Sequence, residues 1–281
     1  MNKPGTIQKL KIVKEVEFGV YLAEEMNAPS SERVLLPSKQ VPSGVKPGDI
    51  LEVFLYRDSK DRIIATTRTP LIKLEEVARL EVVATGKIGA FLDWGLEKDL
   101  LLPFSEQSYK VAVGDRVLVA LYIDKSNRLC ATMKVYPYLK TGCPYIVGDS
   151  VCGVAYEESE RFGIFVAVDD KYQGLIPRKE CFGDIRLGEQ VQARVTQVRE
   201  DGKIDLSVRK KAYEQIEEDS AKILKLIESY DGVLPFTDKA TPEVIKLHTG
   251  MSKNEFKRAV GHLMKEGTIV KTERALRIAD K

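Results

Sequence analysis

The sequence predicts a mainly β, multidomain chain: three tandem five-stranded β-barrels, then a small helical unit carrying a β-hairpin. Three observations carry this reading. A glycine flanked by bulky residues recurs three times, an apolar run closed by proline follows each of these glycines, and after Arg209 the apolar period lengthens from two residues to about 3.6.

The chain of 281 residues exceeds one ordinary core, because domains run to roughly 100–150 residues. Its 43% hydrophobic and 31% charged residues are those of a globular protein, and no run approaches the ~20 apolar residues that span a bilayer. No membrane association is expected. The N-terminus lacks the apolar core of a secretory signal, which predicts a cytoplasmic protein. Cys130, Cys143, Cys152 and Cys181 form no C-x-x-C pair, and only His248 and His262 could assist them, so free buried thiols are expected, with no metal, cofactor or disulfide. A net charge of +2 is too small to hold a polyanion by bulk charge. Any contact with nucleic acid must come from local surfaces.

The first unit, 1–69, opens on Phe18-Gly19-Val20-Tyr21, continues through Leu35-Leu36-Pro37, passes the turn Pro47-Gly48-Asp49 into an alternating strand from Ile50, and closes with Arg62-Ile63-Ile64-Ala65. The second, 70–140, repeats this as Ile88-Gly89-Ala90-Phe91, Leu101-Leu102-Pro103, Val113-Gly114-Asp115 and Arg128-Leu129-Cys130-Ala131. The third, 141–210, reads Phe162-Gly163-Ile164-Phe165, Leu175-Ile176-Pro177, Leu187-Gly188-Glu189 and Lys203-Ile204-Asp205-Leu206. Five short alternating strands per unit, separated by turn residues, argue for small barrels. A glycine inside a strand marks the bend where such a barrel turns its corner, so the units are OB-type.

The fourth unit, 211–281, begins with a helix bearing Ile216, Ile223 and Ile227 on one face. Thr241 before Pro242 is a helix start, and Gly250 ends that helix. Ser252 with Glu255 forms a capping box for a third helix with an apolar stripe of Phe256, Val260, Leu263 and Met264. Two short strands follow Gly267, joined by Lys271-Thr272-Glu273-Arg274. Three helices and a hairpin resemble the winged-helix domain.

The landmarks of the three barrels resemble the S-one domain, an RNA-binding OB-fold module. The likeness is most specific over residues 146–210, and the first copy diverges most. In that family two aromatics flanking the bend glycine, a histidine after the next strand, and an Asp–Arg pair near the last turn form the RNA face. The resemblance therefore implies Phe18 and Tyr21 in the first copy, Phe91 in the second beside Ile88, and Phe162 and Phe165 in the third. Pro37, Pro103 and Pro177 stand at the histidine position, so that ring is missing throughout. The polar pair appears as Asp58 with Arg62 and Asp124 with Arg128, replaced in the third copy by Arg199 with Lys203. The order of three such barrels and one winged helix resembles the conserved virulence factor B family of Gram-positive bacteria. An RNA-binding, post-transcriptional regulatory role is implied.

The residue types suit single-stranded RNA, since unstacked bases gain roughly 1–3 kcal/mol on aromatic rings while Arg and Lys follow the phosphates. Against this stands the reading that strand aromatics fill barrel cores and that turn cations are merely solvated. On the winged helix, Lys253, Lys257, Arg258 and Arg274 are candidates for contact with duplex nucleic acid, the alternative being a protein contact or plain solvent exposure. No nucleotide-binding loop or catalytic motif stands in the sequence, so a non-enzymatic monomer binding RNA is expected. A DNA-binding regulator and a protein scaffold are the alternatives.

Overall fold

The computed structural model describes residues 3–181, 185–208 and 212–279, and divides into two compact units, 1–208 and 209–281. The expected boundary between residues 210 and 211 and the side chain of Tyr213 lie outside the described residues.

The first sheet contains β1 (Ile7–Val16), β2 (Gly19–Ala23), β3 (Val34–Pro37), β4 (Ile50–Arg57) and β5 (Ile63–Thr66), closed in the order β1-β2-β3-β5-β4. The second contains β6 (Val77–Gly86), β7 (Gly89–Asp93), β8 (Leu100–Pro103), β9 (Arg116–Ile123) and β10 (Leu129–Thr132). The third contains β11 (Ser150–Ser159), β12 (Gly163–Val168), β13 (Tyr172–Pro177), β14 (Gln190–Val198) and β15 (Ile204–Ser207), and closes like the first. Closure comes from a parallel pairing, Leu35 with Ile64 in the first and Gly174–Leu175 with Ile204–Asp205 in the third. The second sheet runs β10-β9-β6-β7-β8 and has no ladder between β8 and β10. Three closed barrels were expected; the second is near-closed.

Each sheet is cornered by the same backbone device. Gly19, Gly89 and Gly163 open β2, β7 and β12 at φ of +147°, +153° and +121°. A Cβ at these positions would lie 2.1 Å from the carbonyl oxygen of Leu36, Leu102 or Ile176. No side chain fits that approach, which is why glycine recurs. Opposite each glycine the first strand carries a register shift, between Ile12 and Lys14, Val82 and Ala84, and Ala155 and Glu157. The extra residue bends the strand and increases its twist.

A second recurring device joins the strand ends. The residue three after each proline accepts from a hydroxyl at the end of the last strand: Gln40 from Thr66, Glu106 from Thr132 at 2.7 Å, and Glu180 from Ser207 at 2.7 Å. In the second sheet this clasp, with Met133 N–H donating to the Glu106 carbonyl at 2.9 Å, ties the ends that no ladder joins.

The barrels are not independent beads. Phe54 and Tyr56 of β4 belong to the same buried cluster as the second barrel's core, where Trp94 meets their rings edge-on at 5.8 and 6.2 Å. Between the second and third barrels, Leu118, Ala120, Val135, Leu139, Val154, Tyr156 and Ala167 form a further apolar cluster, with Phe165 packed against it. Arg79 of β6 adds paired hydrogen bonds of 2.7 and 2.8 Å to Asp170. Each large buried side chain contributes about 1.5–3 kcal/mol, so these seams rival a small core in strength.

The second unit contains α1 (Ala212–Ser229), β16 (Val233–Leu234), α2 (Pro242–Thr249), α3 (Lys253–Lys265), β17 (Ile269–Lys271) and β18 (Leu276–Ile278), with sheet order β16-β18-β17. Thr241 caps α2, Gly250 ends it at φ +71°, and both arms of the Ser252–Glu255 capping box are made. The expected hairpin gains β16, a two-residue strand too short to show a period. On α3, Met264 is 44% exposed, and Ala259 completes the buried stripe of Phe256, Val260 and Leu263. Positions i, i+3, i+4 and i+7 define that face, and Met264 lies one residue further round. Among the described residues no helix is long and apolar enough to cross a membrane.

Candidate nucleic-acid interface

The third barrel brings its expected residues together. Phe162, in the turn before β12, is 51% exposed, with the Arg161 guanidinium carbon 5.2 Å from its ring centre. Phe165, on β12, is half-buried and meets Tyr136 edge-on at 5.7 Å. Arg199 and Lys203 flank the β14–β15 turn, where Arg199 N–H donates to the Lys203 carbonyl at 2.8 Å. The Arg199 guanidinium donates to Asp205, and the Lys203 ammonium lies 2.9 Å from Asp201. Hydrogen bonds to Asp201 and to Tyr136 raise the Lys203 pKa. Tyr136, Phe162, Phe165, Gln173, Arg199 and Lys203 line a cavity of ≈ 160 Å³. That holds one flat heterocycle; drug-sized ligands occupy pockets of about 300 Å³ and upward.

In the first barrel Phe18 is 56% exposed and meets half-buried Tyr21 edge-on at 6.4 Å. In the second, Phe91 is half-buried and Ile88 exposed. Sequence reasoning missed Phe104 here. It is 58% exposed, follows Pro103, and its N–H donates to the Ile88 carbonyl at 3.3 Å, so an aromatic ring adjoins the position that lacks one. The signal was the aromatic directly after the proline, where the other copies carry Ser38 and Arg178.

Phe18 and Phe162 therefore do not fill cores, whereas Tyr21, Phe91 and Phe165 are divided between core edge and surface. The Asp–Arg pairs of the first two barrels lock their own turns. Asp58 accepts from the Arg62 guanidinium at 2.7 and 2.9 Å and from the backbone N–H of Lys60 and Arg62, both at 2.9 Å. Partial burial pushes this carboxyl up, but those hydrogen bonds outweigh it and hold the pKa below the usual value. Asp124 is held down in the same way, by Arg128 and Ser126 against its burial. Arg62 and Arg128 remain exposed. Asn127 accepts from the Arg57 guanidinium at 2.8 Å, so the last turns of the first two barrels adjoin.

Of the four cysteines only Cys130 is buried, where desolvation lifts its thiol pKa to about 11; Cys143, Cys152 and Cys181 are half-buried, against the expectation. All four are free. Among the described residues no three His, Cys, Asp or Glu are placed to hold a metal ion.

On the winged helix, Lys257 and Arg258 of α3 and Arg274 of the β17–β18 turn are exposed, and Lys253 is half-buried. Lys271, on β17, is paired with Asp238.

Comparison with known proteins ties these parts together. Residues 221–278 match the CvfB-like winged helix domain, residues 148–210 match the second domain of virulence regulatory factor CvfB, and residues 4–68 and 76–134 match the S1 domain. Over 277 residues the chain is 30% identical to the protein YitL of Bacillus subtilis, covering 95% of this chain and 91% of that one. It is 29% identical over 275 residues to conserved virulence factor B of Staphylococcus aureus, covering 94% of this chain and 90% of that protein.

The chain belongs to the conserved virulence factor B family. The family's profiles divide the barrels differently from the sequence reading, with the S1 pattern on the first two and a family-specific pattern on the third. A multidomain protein with nucleic acid binding domains from Streptococcus pneumoniae shares the family architecture over 98% of both chains, at 24% identity and a TM-score of 0.52. The S1 modules of this family member support nucleic-acid binding.

Proposed function

We propose that this protein is a cytoplasmic, monomeric, non-enzymatic RNA-binding regulator that acts after transcription by holding single-stranded RNA on the aromatic and basic faces of its barrels. The cavity between Phe162, Phe165, Arg199 and Lys203 carries the reading, because it puts stacking surfaces and cations around a space the size of one base. Phe18 and Tyr21, and Phe91 with Phe104, extend the surface; Asp58, Arg62, Asp124 and Arg128 frame it at the last turns. In this reading residues 1–69, 70–140 and 141–210 each present one face. Faces on a jointly packed unit gain affinity through effective concentration, provided they share a path. The relatives' printed names, a virulence factor and a protein with nucleic acid binding domains, agree with the reading.

Fluorescence anisotropy of labelled single-stranded RNA of about 12–16 nucleotides, against duplex DNA as control, tests it. RNA should bind in preference, and Phe162→Ala should weaken binding about ten-fold or more while the fold is kept. Equal binding of RNA and duplex, or an unaffected variant, would sink it. A second reading places contact with duplex nucleic acid or a protein on Lys253, Lys257, Arg258 and Arg274, favoured by the exposed cations of α3 and the wing. It predicts duplex binding that Lys257→Ala/Arg258→Ala abolishes.

A further inference from the structure

We infer that Tyr136, on the segment joining the second and third barrels, is a nucleobase-stacking wall of the third barrel's cavity, so that the site is built from two barrels rather than one. The inference rests on the RNA-binding reading above and adds a residue that no barrel pattern contains. Tyr136 falls between the matched segments, which end at 134 and resume at 148.

Tyr136 lines the cavity, is 37% exposed, and belongs to none of the buried clusters, unlike its neighbours Val135 and Leu139. An aromatic ring left at a surface beside a second ring, with a cation nearby, is the arrangement that stacks unpaired bases. The second ring is Phe165, edge-on at 5.7 Å, and the cation is Lys203, its Nζ 5.8 Å from the Tyr136 ring centre.

The segment is held in place by the third barrel itself. Lys140 N–H donates to the Lys171 carbonyl at 2.7 Å, and Gln173 N–H donates to the Lys140 carbonyl at 3.0 Å, so the chain runs as a short parallel bridge beside β13. The Gln173 side chain adds two further ties, its Nε2 donating to the carbonyls of Tyr136 at 3.1 Å and Leu139 at 3.2 Å. Gln173 is thus a positioning residue for Tyr136. Its Oε1 is buried with no partner among the described residues, in a side chain that lines the cavity. Buried acceptors are seldom left unmet. Every nucleobase carries an exocyclic amino or ring N–H donor that can meet one, so the ligand class is a single unpaired nucleobase within an RNA strand.

The test uses the full chain and 5′-labelled oligouridylate and oligoadenylate of about 12 nucleotides. Tyr136→Ala should weaken binding about ten-fold, close to Phe162→Ala, while Tyr136→Phe, which keeps the ring, should stay within about two-fold of wild type. The slope of log affinity against log salt should not change in Tyr136→Ala, since no phosphate contact is removed. Photocrosslinking of 4-thiouridine RNA to the wild-type protein supplies a reading independent of variant folding, and should label the peptide containing Tyr136. Wild-type binding by Tyr136→Ala together with a ten-fold loss in Phe162→Ala would overturn this inference and leave the RNA-binding reading standing. So would crosslinks confined to the barrel strands. Failure of the wild type to bind either oligonucleotide would overturn both.

Discussion

In the second barrel the position that holds Phe162 in the third is Ile88, and the parallel ladder that closes β13 on β15 has no counterpart between β8 and β10. Yet the bend glycine, the register shift opposite it and the hydroxyl clasp on Glu106 or Glu180 are the same in both. The backbone is set by contacts that tolerate little change. The exposed face is set by side chains that the backbone does not constrain, so one architecture can present a cation-ringed aromatic cavity in one copy and a smaller apolar face, Ile88 beside Phe104, in another.

The largest way to break this comparison attacks what the barrels share. Gly163→Ala or Gly89→Ala should cost about 3 kcal/mol or more, at the upper end for single substitutions, because the new methyl meets a carbonyl oxygen and the backbone φ is unfavourable. Denaturant midpoints measure it, and a loss near zero would mean that the corner relaxes freely. Next comes the face itself: Phe162→Ala should lose about 1–3 kcal/mol of RNA affinity, whereas Ile88→Ala should lose far less, since only the former removes a stacking ring. Installing the missing ring, Ile88→Phe, should tighten RNA binding by no more than about 1 kcal/mol, read by the same titration. Lys203→Ala should reduce the salt dependence of single-strand binding by about 0.7 in slope, as expected for one released counterion contact, and Arg128→Ala by less, because Arg128 is committed to Asp124.

The smallest effect lies in the turns. Arg62→Ala should destabilise by about 0.2–1 kcal/mol, as exposed ion pairs do. Since the Asp58 pKa is depressed in the folded protein, its contribution is present above the unfolded carboxyl pKa and fades as pH falls through the folded value. The difference between wild type and Arg62→Ala should therefore shrink in acid, below about pH 4. A difference that persists unchanged at pH 2 would show that Arg62 acts through packing instead.

The repeats, the five strands per barrel and the caps of α2 and α3 were legible because each leaves a local mark: a glycine that nothing can replace, a proline, a Ser–x–x–Glu spacing. Phe162 and Phe165 were legible through the same repeat. Tyr136 was not, since it lies outside the repeated pattern and becomes part of the cavity only through hydrogen bonds to Gln173, distant in sequence. Phe104 was passed over because the repeat drew attention to the glycine rather than to the residue after the proline. The Gln40, Glu106 and Glu180 clasps had a readable signal, an acceptor three residues after each proline, whose hydroxyl partners stand about 26 positions further on. The open edge of the second sheet left no mark at all, because pairing across a barrel seam depends on how two distant strands meet.

The indole of Trp94 also decides where the molecule can be cut. With Phe54 and Tyr56 sharing its cluster, severing the chain after the first barrel's last strand would strip two aromatic rings from the second barrel and leave an oily scar on each fragment. What the sequence repeats as separate modules should therefore melt as a single cooperative block over residues 1–208. Natural recombination could not shuffle those modules singly without first rebuilding that joint.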